Sequence, residues 1–141
     1  MQHESNGVRL KITSKTLTAA DIEGRLGLKP DESWKIGEAM GTFAVVLKEH
    51  GYVIDSQASL AAPISEHLRS VIKRIAPAAK QIGEISAQAT VEMSCRVHAK
   101  AVPSLAFERD DLRWLAAIGA RLEIDLHLIV DHRPPETAKK P

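Results

Sequence analysis

Residues Arg121–Val130 read RLEIDLHLIV. Leu122, Ile124, Leu126, Leu128 and Val130 alternate with Arg121, Glu123, Asp125 and His127. A period of two is that of a β-strand with one apolar and one polar face. The apolar row is expected at the centre of a small sheet, where it would specify the fold. The polar row then presents Glu123, Asp125 and His127 to water.

Two other stretches repeat the pattern. Val8, Leu10 and Ile12 alternate with Arg9, Lys11 and Thr13, and Gln88–His98 (QATVEMSCRVH) alternates again. There Ala89, Val91, Met93, Cys95 and Val97 form the apolar row, and Thr90, Glu92, Ser94, Arg96 and His98 the polar one. Strands of parallel doubly wound sheets are usually apolar on both faces, so these one-sided strands argue against that class. They favour an α+β fold: a largely antiparallel sheet with helices packed on one face.

Helical signals lie between the strands. Thr18 suits an N-cap, Asp21 completes a capping box, and Ala19, Ile22 and Leu26 make an apolar stripe. Gly27 suits a left-handed C-terminal cap with Leu28 closing the contact, and Pro30 blocks continuation. A second helix starts at Pro63 or Ser65, with Leu68, Val71, Ile72 and Ile75 inward. Pro77 kinks or stops it, and Ala78–Ile85 continues as a second piece ending near Gly83. Glu108–Ile118 reads as a third helix with Leu112, Leu115 and Ile118 inward, closed by Gly119. Trp114 is at the edge of that stripe, as a flank of the core or part of a dimer contact.

Between the first two helices, Pro30–Gly41 reads as a loop whose Trp34 folds over the core. Thr42–Glu49 reads as a strand, His50–Gly51 as a turn, and Tyr52–Ser56 as a short strand pairing back in a hairpin. Ala58–Pro63 is a linker, and Leu105–Phe107 a short extended piece. The order is β-α-β(β)-α-β-α-β, and the specific expectation is a ferredoxin-like core with an added helix and strand. One domain accounts for residues 1–141, with a folded core from about 8 to 130 and disordered tails at 1–7 and 131–141.

Four pieces of the chain resemble the bacterial DUF4279 family, a domain of unknown function. They are Leu17-Thr18 through Leu26-Gly27-Leu28-Lys29-Pro30, then Ser33-Trp34-Lys35 with Gly37, then His67-Leu68 through Arg74-Ile75-Ala76-Pro77. The last runs from Leu112 through Leu115, Ala116, Ile118-Gly119-Ala120 and Leu122 to Ile124-Asp125-Leu126. The likeness covers Val8 to about His127. The chain departs from such domains where they often carry a Trp in the central strand; here Thr42-Phe43 stands. The resemblance implies a small intracellular bacterial protein, and it carries no established catalytic residues.

Composition narrows the function classes. The net charge is +1, so no overall field attracts polyanions. Aromatic content of 4% leaves few rings for a base-stacking platform, and nucleic acid is not an expected partner. No segment is apolar and long enough for a bilayer, and MQHESNG lacks the apolar stretch of a signal peptide. The single Cys95 forms no internal disulfide and falls on a buried row, where it acts as an inert small hydrophobe. These features point to the cytoplasm. Glycine spacing offers no phosphate loop, Ser65-Glu66-His67 are helix neighbours that do not face one another, and no cofactor is expected. Arg69, Lys73 and Lys80 make a solvated helix face.

The candidate binding residues are Trp34, Lys35, Glu92, Arg96, His98, Asp125 and His127. Ion pairing across a wet sheet face, at a few tenths to about 1 kcal/mol per pair, is the plainer reading of the charged ones. The functional reading is a non-catalytic module, immunity-type or regulatory, that holds a protein partner on its polar sheet face or sheet edge. A homodimer through an edge strand is a form of the same idea. The alternatives are a metal-dependent enzyme using Glu92, His98, Asp125 and His127, and a small-ligand sensor with a pocket under the Trp34 loop.

Overall fold

The computed structural model describes residues 4–40 and 45–130. Strand β1 is Ser5–Ser14, followed by α1 at Ala19–Leu26. Three short strands come next: β2 at Glu32–Trp34, β3 at Ala39–Met40 and β4 at Val45–Val46. Then come β5 at His50–Asp55, α2 at Ile64–Ile75, a 3-10 turn at Ala76–Ala78 and α3 at Ala79–Ile85. The chain ends with β6 at Thr90–Ala99, α4 at Arg109–Ala117 and β7 at Ala120–Leu128.

The main sheet has five strands in the order β2-β5-β1-β6-β7. Every neighbouring pair is antiparallel except β6 and β7, which run parallel. The expected α+β class with a largely antiparallel sheet is what the chain adopts. β1 and β2 run the same way with β5 between them, and β5 and β6 run the same way with β1 between them. Two split β-α-β units therefore interlock, and α4 and β7 add an ordinary one at the edge.

Helix α1 forms where the caps specify it. Thr18 accepts the Asp21 amide and Asp21 accepts the Thr18 amide, and Gly27 closes the helix at φ 68°. The α2 stripe is buried as read, as are Ile22 and Leu26 of α1, while Ala19 is only partly buried; a 3-10 turn carries Pro77 between α2 and α3. One core joins Val8, Leu10 and Ile12 of β1, Tyr52 and Ile54 of β5, and Val91, Met93, Cys95 and Val97 of β6 to the inner faces of the helices. Burial pushes the Cys95 thiol up to about 11 and the Tyr52 phenol up to about 12.

Several expectations are corrected. β7 is not central: it lies at the sheet edge, with Ile124, Leu126 and Leu128 exposed by 42%, 40% and 50%. Leu122 alone of that row packs on the core. Residues 5–7 belong to β1 because β6 extends beside them, pairing Ser5 with His98. The Tyr52–Ser56 piece is a main strand; it pairs with β1 and β2, and not with the described residues of Thr42–Glu49. His50 and Gly51 begin that strand, and Lys48–Glu49 make the bend. Of the Thr42–Glu49 strand, Val45–Val46 pair with β3, while residues 41–44 lie outside the described residues. Part of the supposed loop is β2, too short for a period to show. In α4 the inward positions are 111, 115 and 118, so Asp111 is buried and Leu112 is 47% exposed. The tails at 1–3 and 131–141 also lie outside the described residues.

Candidate binding face and edge

The strand register decides which polar side chains meet. Arg9 faces Asp55 on one side and Ser94 on the other, and Lys11 faces Glu92. Across the parallel pair, Glu92 faces Arg121, Ser94 faces Glu123, Arg96 faces Asp125, and His98 faces His127. These all project from the side of the sheet away from the helices, because their neighbours along each strand are the core residues.

On that face Glu92 is a structural charge. It is 6% exposed and held by Lys11 at 3.2 Å and Arg121 at 3.5 Å. Burial raises its carboxyl, but hydrogen bonding with Glu123 and Lys11 outweighs this and holds it below the usual range. Glu123 moves up, chiefly through that shared hydrogen bond with Glu92. Glu92 is therefore committed to its cations, which removes it from the Glu92–His98–Asp125–His127 constellation. Among the described residues, no group of three or more His, Cys, Asp or Glu has metal-holding geometry.

The outer end of the face is different. Asp125 Oδ2 lies 3.0 Å from His127 Nε2, and the His127 ring stacks on His98 with centroids 4.7 Å apart. Asp125 and His127 are half exposed, and Arg96 makes no ion pair among the described residues. Four of the seven candidate residues, Arg96, His98, Asp125 and His127, thus share one end of β6 and β7. Beside them, on the helix side of β7, runs the exposed row Ile124, Leu126 and Leu128.

Trp34 and Lys35 are elsewhere. Trp34 pairs with Gly51 at the far edge of the sheet, and its indole covers the Gly51 backbone. A cavity of about 330 Å³ beside it is lined by Thr18, Glu23, Pro30, Trp34, Lys35 and Glu38, among others. The sheet order puts this cavity and the Asp125–His127 pair at opposite edges.

Sequence reading missed a second cavity, about 300 Å³, where β5 ends. Arg9, Ser56, His67, Ser94 and Arg96 line it. His67 reads from sequence as one of three helix neighbours, yet it is 1% exposed and shares a hydrogen bond with Ser56 through Nδ1. Its place next to Leu68, one turn from Ile64 and Val71, was the available signal. His67 Nε2 has no partner among the described residues, so no carboxylate completes a catalytic triad. The pair ties the segment after β5 to α2.

A family model described as a domain of unknown function, DUF4279, matches residues 3–128. The chain belongs to the DUF4279 family. The match spans all the main-sheet strands and all four α-helices of this DUF4279 domain. No curated protein and no solved structure matches it. No helix among the described residues of this DUF4279 domain is long and apolar enough to cross a membrane.

Proposed function

We propose that this DUF4279 domain is a non-catalytic protein-binding module, of the immunity or regulatory kind, that works in the bacterial cytoplasm. It engages a protein partner along β7. One observation carries the reading: a nine-residue edge strand holds Ile124, Leu126 and Leu128 between 40% and 50% exposed. An open edge with an apolar row offers backbone hydrogen bonds and side-chain contacts to an added strand. Arg96, His98, Asp125 and His127 form the polar rim that gives such contacts selectivity. The free, buried Cys95 accords with a reducing compartment. For the core we propose the ferredoxin-like description, supported by the order β2-β5-β1-β6 and its two split β-α-β units.

The test is capture from the native host with the full chain as bait, beside Leu126→Lys. A partner held by the wild type and lost with Leu126→Lys, at unchanged circular dichroism, supports the reading. Equal capture by both baits moves the site off β7, and no reproducible partner removes the reading.

The cavity beside Trp34 favours a second reading, a small-ligand sensor. Trp34 fluorescence in a Trp114→Phe background reports it directly. An emission shift with one metabolite of a screened set supports it, and a flat response across the set counts against it.

A further inference from the structure

The two edges of the sheet are built in opposite ways. β2 closes one edge with three residues, soon after Pro30 and carrying Glu32, a short and charged edge of the kind that resists pairing. β7 leaves the other edge open along nine residues. The Ile129 amide donates to the Ala99 carbonyl at 2.8 Å. Amides alternate along a strand, so the odd-numbered residues of β7 turn their N–H and C=O groups toward β6. The even-numbered ones, Leu122, Ile124, Leu126 and Leu128, turn theirs to the open edge. No described strand pairs with them. Three of these four, Ile124, Leu126 and Leu128, also carry the exposed apolar side chains.

The sequence around Leu126 is close to symmetric, with Glu123 opposite Ile129 as the exception. Lay a second β7 antiparallel beside the first with a two-fold axis at Leu126. Leu126 then faces its own copy, Ile124 faces Leu128, and Leu122 faces Val130, which is 64% exposed. On the polar face Asp125 stands opposite His127, and the axis makes this pair twice. Neighbouring registers lose this match. An axis at Ile124 sets Glu123 against Asp125 and Arg121 against His127. An axis at Asp125 sets two Asp125 side chains face to face. Like charges directly opposite destabilise a pair of strands, and opposite charges stabilise it. The polar row therefore selects this register, and the apolar row is compatible with it.

We propose that β7 joins the β7 of a second copy of this chain about a two-fold axis at Leu126, merging two five-stranded sheets into one. The proposal rests on the reading of β7 as a binding edge and names its partner. A C2 interface requires the same patch to complement itself, and β7 meets that requirement along its apolar row and at the Asp125–His127 pair. The merged sheet covers Ile124, Leu126 and Leu128 and pairs the even-numbered amides. It also brings both Asp125–His127 pairs and both His98 rings to the centre of one continuous polar face.

Sedimentation equilibrium up to about 1 mM, the range of a weak transient contact, reads the association of the purified full chain. The expected result is a concentration-dependent dimer, lost in Leu126→Lys at unchanged circular dichroism. His127→Glu sets a carboxylate against Asp125 at two symmetric places and weakens the dimer by roughly tenfold. The double variant Asp125→Lys with His127→Glu restores opposite charges and recovers the affinity. Register is read by oxidation: Leu126→Cys crosslinks to itself, whereas Leu122→Cys crosslinks only to Val130→Cys. A monomer throughout overturns the second-copy proposal, while the edge reading still stands or falls on host capture with Leu126→Lys. A dimer that survives Leu126→Lys, or that crosslinks no better at Leu126→Cys than at Leu122→Cys, places the contact elsewhere and overturns it equally.

Discussion

Asp31 shows how one side chain can tie three elements. Its carboxylate accepts from Arg74 of α2 at 2.6 Å and from the Asp55 amide at 2.7 Å, and its own amide donates to Val53. The Arg74 hydrogen bond is the main cause holding its carboxyl below the ordinary 3.8; burial opposes it, and the Asp55 amide adds to it. A depressed folded value means stability that is present above the unfolded value and lost as pH falls through the folded one. Urea midpoints taken from pH 6 down to pH 2 are expected to fall steeply below about pH 4. Asp31→Asn starts lower at pH 6 and shows a shallower fall; an identical slope in both proteins would remove Asp31 as the source. Gly51 is a second such residue. A Cβ built there overlaps the Trp34 indole, so Gly51→Ala must displace the ring that caps this edge. The expected cost is about 1–3 kcal/mol by denaturation, with a red shift of Trp34 emission. Gly51→Ala at wild-type stability would show that the indole is free to move.

Elements differ in how openly the sequence announces them. α1 is fully legible because its signals are local: Thr18, Asp21 and Gly27 act through backbone groups within a turn. Thr18→Ala is expected to cost about 1 kcal/mol in chemical denaturation, since it removes one amide's partner and half of the box. A change under a few tenths would show that tertiary packing alone holds α1. β1, β6 and α2 are legible for another reason: each buries a full row, so the period is complete. β7 has the same period and was misplaced, because alternation reports which face is apolar and says nothing about how many neighbours the strand has. The helix α4, only nine residues long, returns the chain parallel beside β6, and no described strand follows β7 within the main sheet. β2 and β5 were misread because their pairing is set by distant residues, Gly51 under Trp34 and Asp31 against Arg74. The candidate side chains on β6 and β7 were grouped correctly by period. Trp34 and Lys35 could not be placed relative to them without the strand order, and His67 looked like an ordinary member of a polar tripeptide.

The molecule as a whole has one core, shared by every α-helix and by the three longest antiparallel strands. Trp34 and Trp114 report on opposite edges of it, the first beside β5 and the second on α4 beside β7. Single-tryptophan variants are therefore expected to unfold at one denaturant midpoint, coincident with far-ultraviolet circular dichroism. An earlier transition at Trp114 would mean that α4 and β7 come away as a separate unit. The interlocking also has a kinetic consequence. β1 is made first and lies in the middle, with Arg9 waiting for Asp55 on one side and Ser94 on the other. A nascent chain cannot complete the central pairings of β1 until β6, which ends at Ala99, has left the ribosome. Such sequence-distant closures place refolding at milliseconds to seconds. Refolding within microseconds, followed by stopped-flow or temperature jump, would contradict it. Until β6 arrives, the edge of β1 that it will pair with stays open, and the Val8, Leu10 and Ile12 row lacks the β6 residues that will lie beside it.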